Sequence, residues 1–322
     1  MVSVDLTWLD RSLLRREDRE KAGLGDPRIL SFAAGIVLVI LLVAVLIALG
    51  VRYDQSHTPE DVLPAPPAMA ADGVHPQLIA HAGGDAFGYR LTNSREALDQ
   101  AYAGGFRFIE LDFSLTTDYA IVLLHDWDSC AKRLLGSAGQ RTLEQFQADQ
   151  KMAGLTLMDL DGLLEWLRAH PDVIIITDTK DEQNYAFLEL LYGRAGDLAY
   201  RFLPQAYNIE EYYKIQQLGF EDIILTLYKI PTDVESLVPF AAQEKPWAIT
   251  IPAERFYDEL LIPLAATGVS IYAHSVNSVD FVDAWSGKGL TGIYTDYFTP
   301  NRWLYGENGG VPEPVEIEKD LN

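Results

Sequence analysis

Short apolar runs alternate with segments of helical period from about residue 77 to about residue 295. The runs fall at 77–80, 106–113, 120–125, 173–177, 202–207, 223–228, 247–251, 270–273 and 292–295. Between most of them, at 94–103, 160–169, 185–192, 209–218, 234–242, 256–266 and 279–285, apolar positions recur every three to four residues. Runs of this length read as buried strands, and strands separated by helices pair in parallel. Some 230 residues of such alternation (76–304) predict an α/β fold, a (β/α)8 TIM barrel. Two features make the expected barrel a distorted one. Nine runs compete for eight strand places, and the link from Asp112 to His125 is too short for a helical crossover, so it must return as bare extended chain.

In such a barrel catalytic groups stand at the C-terminal strand ends, so the residue closing each run matters most. The first run ends in His81, the second in Glu110 and Asp112, the third in His125 and Asp126, and the fourth in Asp178 and Lys180. Later runs end in Gln205, Tyr228–Lys229, His274 with Asn277, and Asp296. Strand residues i and i+2 share a face, so Glu110 and Asp112 point the same way, as do Asp178 and Lys180. Two carboxylates held together repel, and a divalent cation keeps both ionised. Histidine adds a group that gains or loses a proton near neutral pH. A scaffold selected for stability alone has no reason to gather these charges on one rim.

The order His81-x-Gly83, Asn93-Ser94, Glu110-x-Asp112, His125-Asp126, Asp178-x-Lys180, Ser275-Val276-Asn277, Thr295-Asp296 resembles the glycerophosphodiester phosphodiesterase family, within the phospholipase C-like barrel phosphodiesterases. The resemblance runs from about Leu78 to Asp296, and its most specific part is the stretch from Glu110 to Asp126. It implies His81 and His125 as the catalytic acid/base pair. It further implies Glu110, Asp112 and Asp178 as ligands of one divalent cation, Lys180 on the phosphate, and Asn93 near the substrate. Capping of the helix that begins near Ser94 is an equal alternative for Asn93. Oxygen-only ligands favour Ca2+ or Mg2+ over Zn2+. Three positions depart from the family pattern. Ala82 replaces an arginine that would clamp a phosphate oxygen, Thr92 replaces a glutamate, and Asp178 is one methylene shorter than the usual glutamate ligand. His274 stands where the family carries an aromatic residue and is expected to line the pocket.

The N-terminal region sets the expected location. Residues 29–51 carry no charge, and 23 apolar-dominated residues suffice to cross about 30 Å of hydrocarbon. Six Lys/Arg precede that run and only Arg52 follows it before Arg90, which places residues 1–28 in the cytoplasm and the barrel outside. The expectation is a single-pass, signal-anchored membrane protein with a Pro/Ala-rich linker at 52–75 and an acidic, disordered tail at 305–322.

A formal net charge of −22 argues against nucleic acid as partner, and a lone cysteine, Cys130, excludes an intramolecular disulfide and a cysteine-rich zinc site. The expected partner is a small-molecule or lipid-derived phosphodiester. Three readings remain open on sequence alone: a metal-dependent phosphodiester hydrolase, a phospholipase C-type lyase releasing a cyclic phosphate, and a non-catalytic relative that binds phosphorylated ligands.

Overall fold

In the computed structural model, residues 74–149, 152, 154–180, 184–229 and 233–301 are described. The apolar run at 29–51 expected to span a membrane, the 28 residues before it, most of the linker and the acidic tail lie outside them. Among the described residues no helix is long and apolar enough to cross a membrane.

Among the described residues nine strands form one sheet: β1 Leu78–Ala80, β2 Phe108–Leu115, β3 Ile121–Leu123, β4 Ile174–Thr179, β5 Phe202–Ala206, β6 Ile224–Thr226, β7 Ala248–Pro252, β8 Ile271–His274 and β9 Gly292–Thr295. Eight are parallel. They close into a barrel because β1 pairs with β9 on one edge and β2 on the other. The ninth, β3, runs antiparallel on the distal half of β2, with Phe113 opposite Leu123 and Leu115 opposite Ile121. The surplus run and the short connection therefore have one explanation. β2 is long enough for its first half to build the barrel wall and its second half to carry a hairpin above the rim.

Seven helices occupy the expected crossovers: α1 Arg95–Ala103, α4 Leu160–Ala169, α5 Asn184–Ala195, α6 Ile209–Gln217, α7 Val234–Glu244, α8 Asp258–Ala265 and α9 Val279–Ser286. Side-chain caps start several of them, Ser94 on α1, Asp159 on α4, Asn208 on α6 and Ser278 on α9, each satisfying a backbone N–H that the helix cannot. Two short helices follow the hairpin without having been expected, α2 Ser129–Leu135 and α3 Leu143–Ala148. They bury Ala131, Leu134, Leu135 and Phe146 against Val122 and Leu124, a satellite core beside the rim. Cys130 is buried in this cluster, where burial and the charge of Asp126 push its thiol up to about 12 and leave it inert.

The barrel interior is layered by the strand period. Phe108, Trp247 and Tyr272 stack at the N-terminal end, with centroids 5.5 and 5.8 Å apart, and Ile79, Ile174, Ile176, Leu203 and Ile224 fill the middle. The closed apolar floor leaves the opposite, C-terminal mouth as the end where polar side chains enter the barrel.

Candidate active site

Glu110 and Asp112 both project inward from β2 and are completely buried, and Asp178 on β4 stands in register with Asp112. Carboxylate oxygens of these three residues lie within 4.8 Å of one another. Lys180, just beyond β4, turns its ammonium into the cluster, 2.5 Å from Asp178 Oδ2 and 2.9 Å from Asp112 Oδ1. The Asp112 contact is an ion pair outside hydrogen-bonding angles, so that oxygen has a charge beside it but no hydrogen bond. Tyr207 donates to Asp178 Oδ1, and Tyr228 donates to Oδ2 at 3.4 Å. Burial alone would raise the Asp178 carboxyl, but the Lys180 charge and the hydrogen bonds from Lys180 and Tyr207 outweigh it and hold the group below its ordinary range.

Glu110 is poorer in partners. Its Oε2 accepts from the Ala82 backbone N–H at 2.7 Å and its Oε1 has no hydrogen bond. Burial, then the negative charge of Asp112, raise it to about 8. The turn at His81–Gly83 makes the Ala82 contact possible. Ala82 adopts a left-handed φ of 49°, and at Gly83 (φ 82°) a Cβ would press to 3.1 Å from the Ala97 methyl.

Asn93 also sits at positive φ, 50°, and is buried. Its Nδ2 donates to Asp112 Oδ2 at 2.8 Å and its Oδ1 accepts the Asp112 backbone N–H at 2.9 Å. Helix capping falls to Ser94, whose Oγ accepts from Ala97 N at 3.3 Å. Both ends of the Asn93 amide are spent on Asp112. Its contact with the carboxylate cluster therefore runs through Asp112.

His81 closes β1. Its Nδ1 lies 2.8 Å from Asp296 Oδ1 at the end of β9, and Asp296 in turn accepts from Asn277 Nδ2 at 2.7 Å. Burial pulls the imidazole down, but the Asp296 hydrogen bond and the charges of Glu110, Asp296 and Asp112 raise it to about 9. In the sequence alone Asp296 is a strand end without an assigned role. The Thr295-Asp296 pair was the available signal, and only closure of β9 on β1 joins residues 215 positions apart. His125 follows β3 on the rim with its side chain 36% exposed, its Nδ1 2.9 Å from Asp126 Oδ2. The hairpin ties it to the site from behind, since Leu124 N–H donates to Asp112 O at 3.0 Å. Asp126 is fixed by N–H groups of Asp128 and Cys130, at 2.9 and 3.0 Å. Each histidine is thus oriented by its own carboxylate.

The three-carboxylate cluster fits a hard divalent cation. It offers oxygens only, and two of them, Glu110 Oε1 and Asp112 Oδ1, are buried without a hydrogen bond. Glu110 and His81 both bind protons more tightly in the folded chain than unfolded, so the stability they lend is complete below their ordinary pKa values and is lost as pH rises through about 8 and about 9. In EDTA, thermal melting should therefore fall progressively from neutral pH to pH 9, and Ca2+ or Mg2+ should flatten the fall. A melting temperature independent of pH over that window would contradict this electrostatic picture.

Residues 83–192 match the model of the glycerophosphoryl diester phosphodiesterase family. The Bacillus subtilis protein YhdW, whose name assigns it glycerophosphodiester phosphodiesterase activity, is 26% identical over 239 residues, 68% of this chain and 94% of its own. A glycerophosphodiester phosphodiesterase of Thermotoga maritima has the same fold, with a TM-score of 0.55 at 20% identity over 69% of this chain and 95% of its own. A phosphodiesterase of Oleispira antarctica, solved with its product sn-glycerol-3-phosphate, gives a TM-score of 0.55 at 18% identity, covering 69% of this chain and 93% of its own. The family model and the named relative agree on one enzyme class, a phosphoric diester hydrolase of the glycerophosphodiester phosphodiesterase type, and the solved structures share the fold.

Proposed function

We propose that the chain hydrolyses glycerophosphodiesters, or related lipid- or envelope-derived phosphodiesters, with one divalent cation, Ca2+ or Mg2+, and two histidines as general acid and base. The observation that carries this reading is the shared rim: a buried Glu110–Asp112–Asp178 cluster with Lys180 inside it, flanked by two histidines that each have a carboxylate partner.

Glu110, Asp112 and Asp178 would hold the cation, which when bound supplies Lewis-acid polarisation of a phosphoryl oxygen. Asn93 fixes the rotamer of Asp112, and Tyr207 that of Asp178. Lys180 brings a positive side chain into the cluster, placed to neutralise charge that develops on the phosphoryl oxygens. With Nδ1 engaged by Asp296, His81 presents Nε2 as its working nitrogen, and the neutral form of the ring takes the proton from the attacking hydroxyl. Asp296 stabilises the imidazolium that results. His125, partly exposed on the rim where an alcohol departs to solvent, returns a proton to the leaving oxygen. Ala82 gives its N–H to Glu110 but has no guanidinium for the phosphate, so Lys180 carries that charge without help from position 82. The apolar run at 29–51 would anchor the barrel to a membrane, with its mouth on the extracytoplasmic side.

Phosphorus NMR of products in H2(18)O tests the hydrolytic assignment. The expected product is a phosphomonoester carrying one solvent oxygen from the first turnover. A persistent cyclic phosphate without the label would instead make the enzyme a lyase.

A further inference from the structure

A second group of metal-capable donors stands beside the carboxylate cluster and shares one member with it. His81, Glu110 and His274 each bring a donor atom to a point where all three lie within 4.8 Å of one another. His274 is the last residue of β8, and its ring meets that of His81 edge-on with centroids 4.7 Å apart. Two of the donors have valences that the folded chain leaves open. Nε2 of His274 and Oε1 of Glu110 are both covered and without a hydrogen bond. On the third residue, Asp296 holds Nδ1 at 2.8 Å and leaves Nε2. Both rings are partly exposed at the barrel mouth, the His81 side chain at 12%, so an ion has a way in past the ring edges. Buried donors of this kind, converging without partners of their own, mark a place for a cation.

The donor chemistry selects a different ion from the one the carboxylates suit. Imidazole nitrogens favour a borderline transition ion such as Zn2+, whereas the oxygen-only cluster suits Ca2+ or Mg2+. Two imidazoles and one glutamate are a set that zinc takes with its fourth position open. Tetrahedral donors on bonds of about 2.0–2.2 Å stand about 3.4 Å apart, so small side-chain rotations close the group onto one ion. The outer shell is already in place. Asp296 on His81 Nδ1 is the carboxylate–histidine arrangement that orients a metal-bound imidazole, and the Ala82 N–H fixes Glu110 through Oε2. We propose that His81, Glu110 and His274 form a transition-metal site, filled best by Zn2+, that switches the enzyme off. As zinc bonds to Nε2 of His81, that nitrogen gives up any proton it carries to solvent, and its lone pair is no longer open to the attacking hydroxyl. Glu110 belongs to both groups, so zinc also draws a ligand from the hard cation. The site stands on geometry alone, and its inhibitory effect rests on the phosphodiesterase reading.

Calorimetric titration of Zn2+ into the full chain, held in excess Mg2+, tests the site apart from catalysis. His274→Phe keeps a ring and removes both nitrogens. It should lose at least about 100-fold in zinc affinity relative to wild type, since even the outer-shell partners of a ligand are worth about 10- to 100-fold. Asp296→Asn should weaken zinc by about that outer-shell amount, and it gives an independent reading if a melting curve shows that His274→Phe does not fold. In turnover assays, a zinc concentration that silences the wild type should leave the residual activity of His274→Phe standing. Chelation followed by Mg2+ should restore the wild type. Zinc affinity unchanged in both variants puts the ion on the three-carboxylate cluster or the surface and overturns the site. Zinc that binds through His274 yet leaves turnover unchanged, or raises it, overturns the switch. Failure of the parent reading has a separate signature: zinc binding that depends on His274, with no phosphodiester turned over in Mg2+ or Ca2+, upholds the site and removes the switch.

Discussion

His81→Ala lowers kcat about 10²- to 10⁴-fold on any phosphodiester the enzyme turns over, the range that positioned acid/base groups supply. His81 is mostly buried in the site with its working geometry set by one hydrogen bond at 2.8 Å to Asp296, so the same account predicts an intermediate defect for Asp296→Asn. That change keeps the shape and removes the charge that stabilises a protonated imidazole. The ring's pKa, about 9 with Asp296 in place, falls, and the pH–rate limb belonging to His81 moves to lower pH. Steady-state profiles of wild type and Asp296→Asn between about pH 5 and pH 10 check this. An Asp296→Asn enzyme with wild-type kcat and an unmoved profile would remove the dyad from the mechanism.

Lys180→Met should be the most damaging substitution to the metal-free protein. Its ammonium, largely buried, contacts both Asp112 and Asp178, and removing one partner of a buried charge cluster costs roughly 3–5 kcal/mol. For a domain of this size each kcal/mol shifts Tm by about 2–4 °C, so in EDTA the variant should melt about 6–20 °C below wild type. Ca2+ should close much of that gap, because a cation on the same carboxylates offsets the repulsion that Lys180 otherwise relieves. Activity in saturating metal should remain severely reduced, since the charge aimed at the phosphate is gone. Equal melting of variant and wild type in EDTA would mean that Lys180 does not neutralise the cluster.

Much of this site could be read in the chain because charge at the end of an apolar run stands out. Glu110, Asp112, Asp178 and Lys180 are anomalous where a barrel strand should stay apolar, and the two-residue period placed each pair on one face before any contact was known. What escaped depended on tertiary closure or on residues whose local chemistry has two uses. Asp296 reaches His81 only because the last strand pairs with the first. Asn93 and Ser94 are both good capping residues, and the backbone turn at positive φ gives the cap to Ser94 and turns Asn93 toward Asp112. The two helices α2 and α3 are only seven and six residues long, too short to display a period, and Asp126 supports α2 while holding His125. The surplus strand follows from the length of β2, which pairs with β4 in the barrel and with β3 in the hairpin.

Turnover of a glycerophosphodiester panel by the purified full chain, in EDTA and after Ca2+ or Mg2+ is restored, beside His125→Ala, tests the central claim most directly. The account predicts no turnover in EDTA, recovery with added cation, and a loss of about 10²-fold or more in His125→Ala at saturating metal. Undiminished turnover in EDTA, or a fully active His125→Ala, would contradict it.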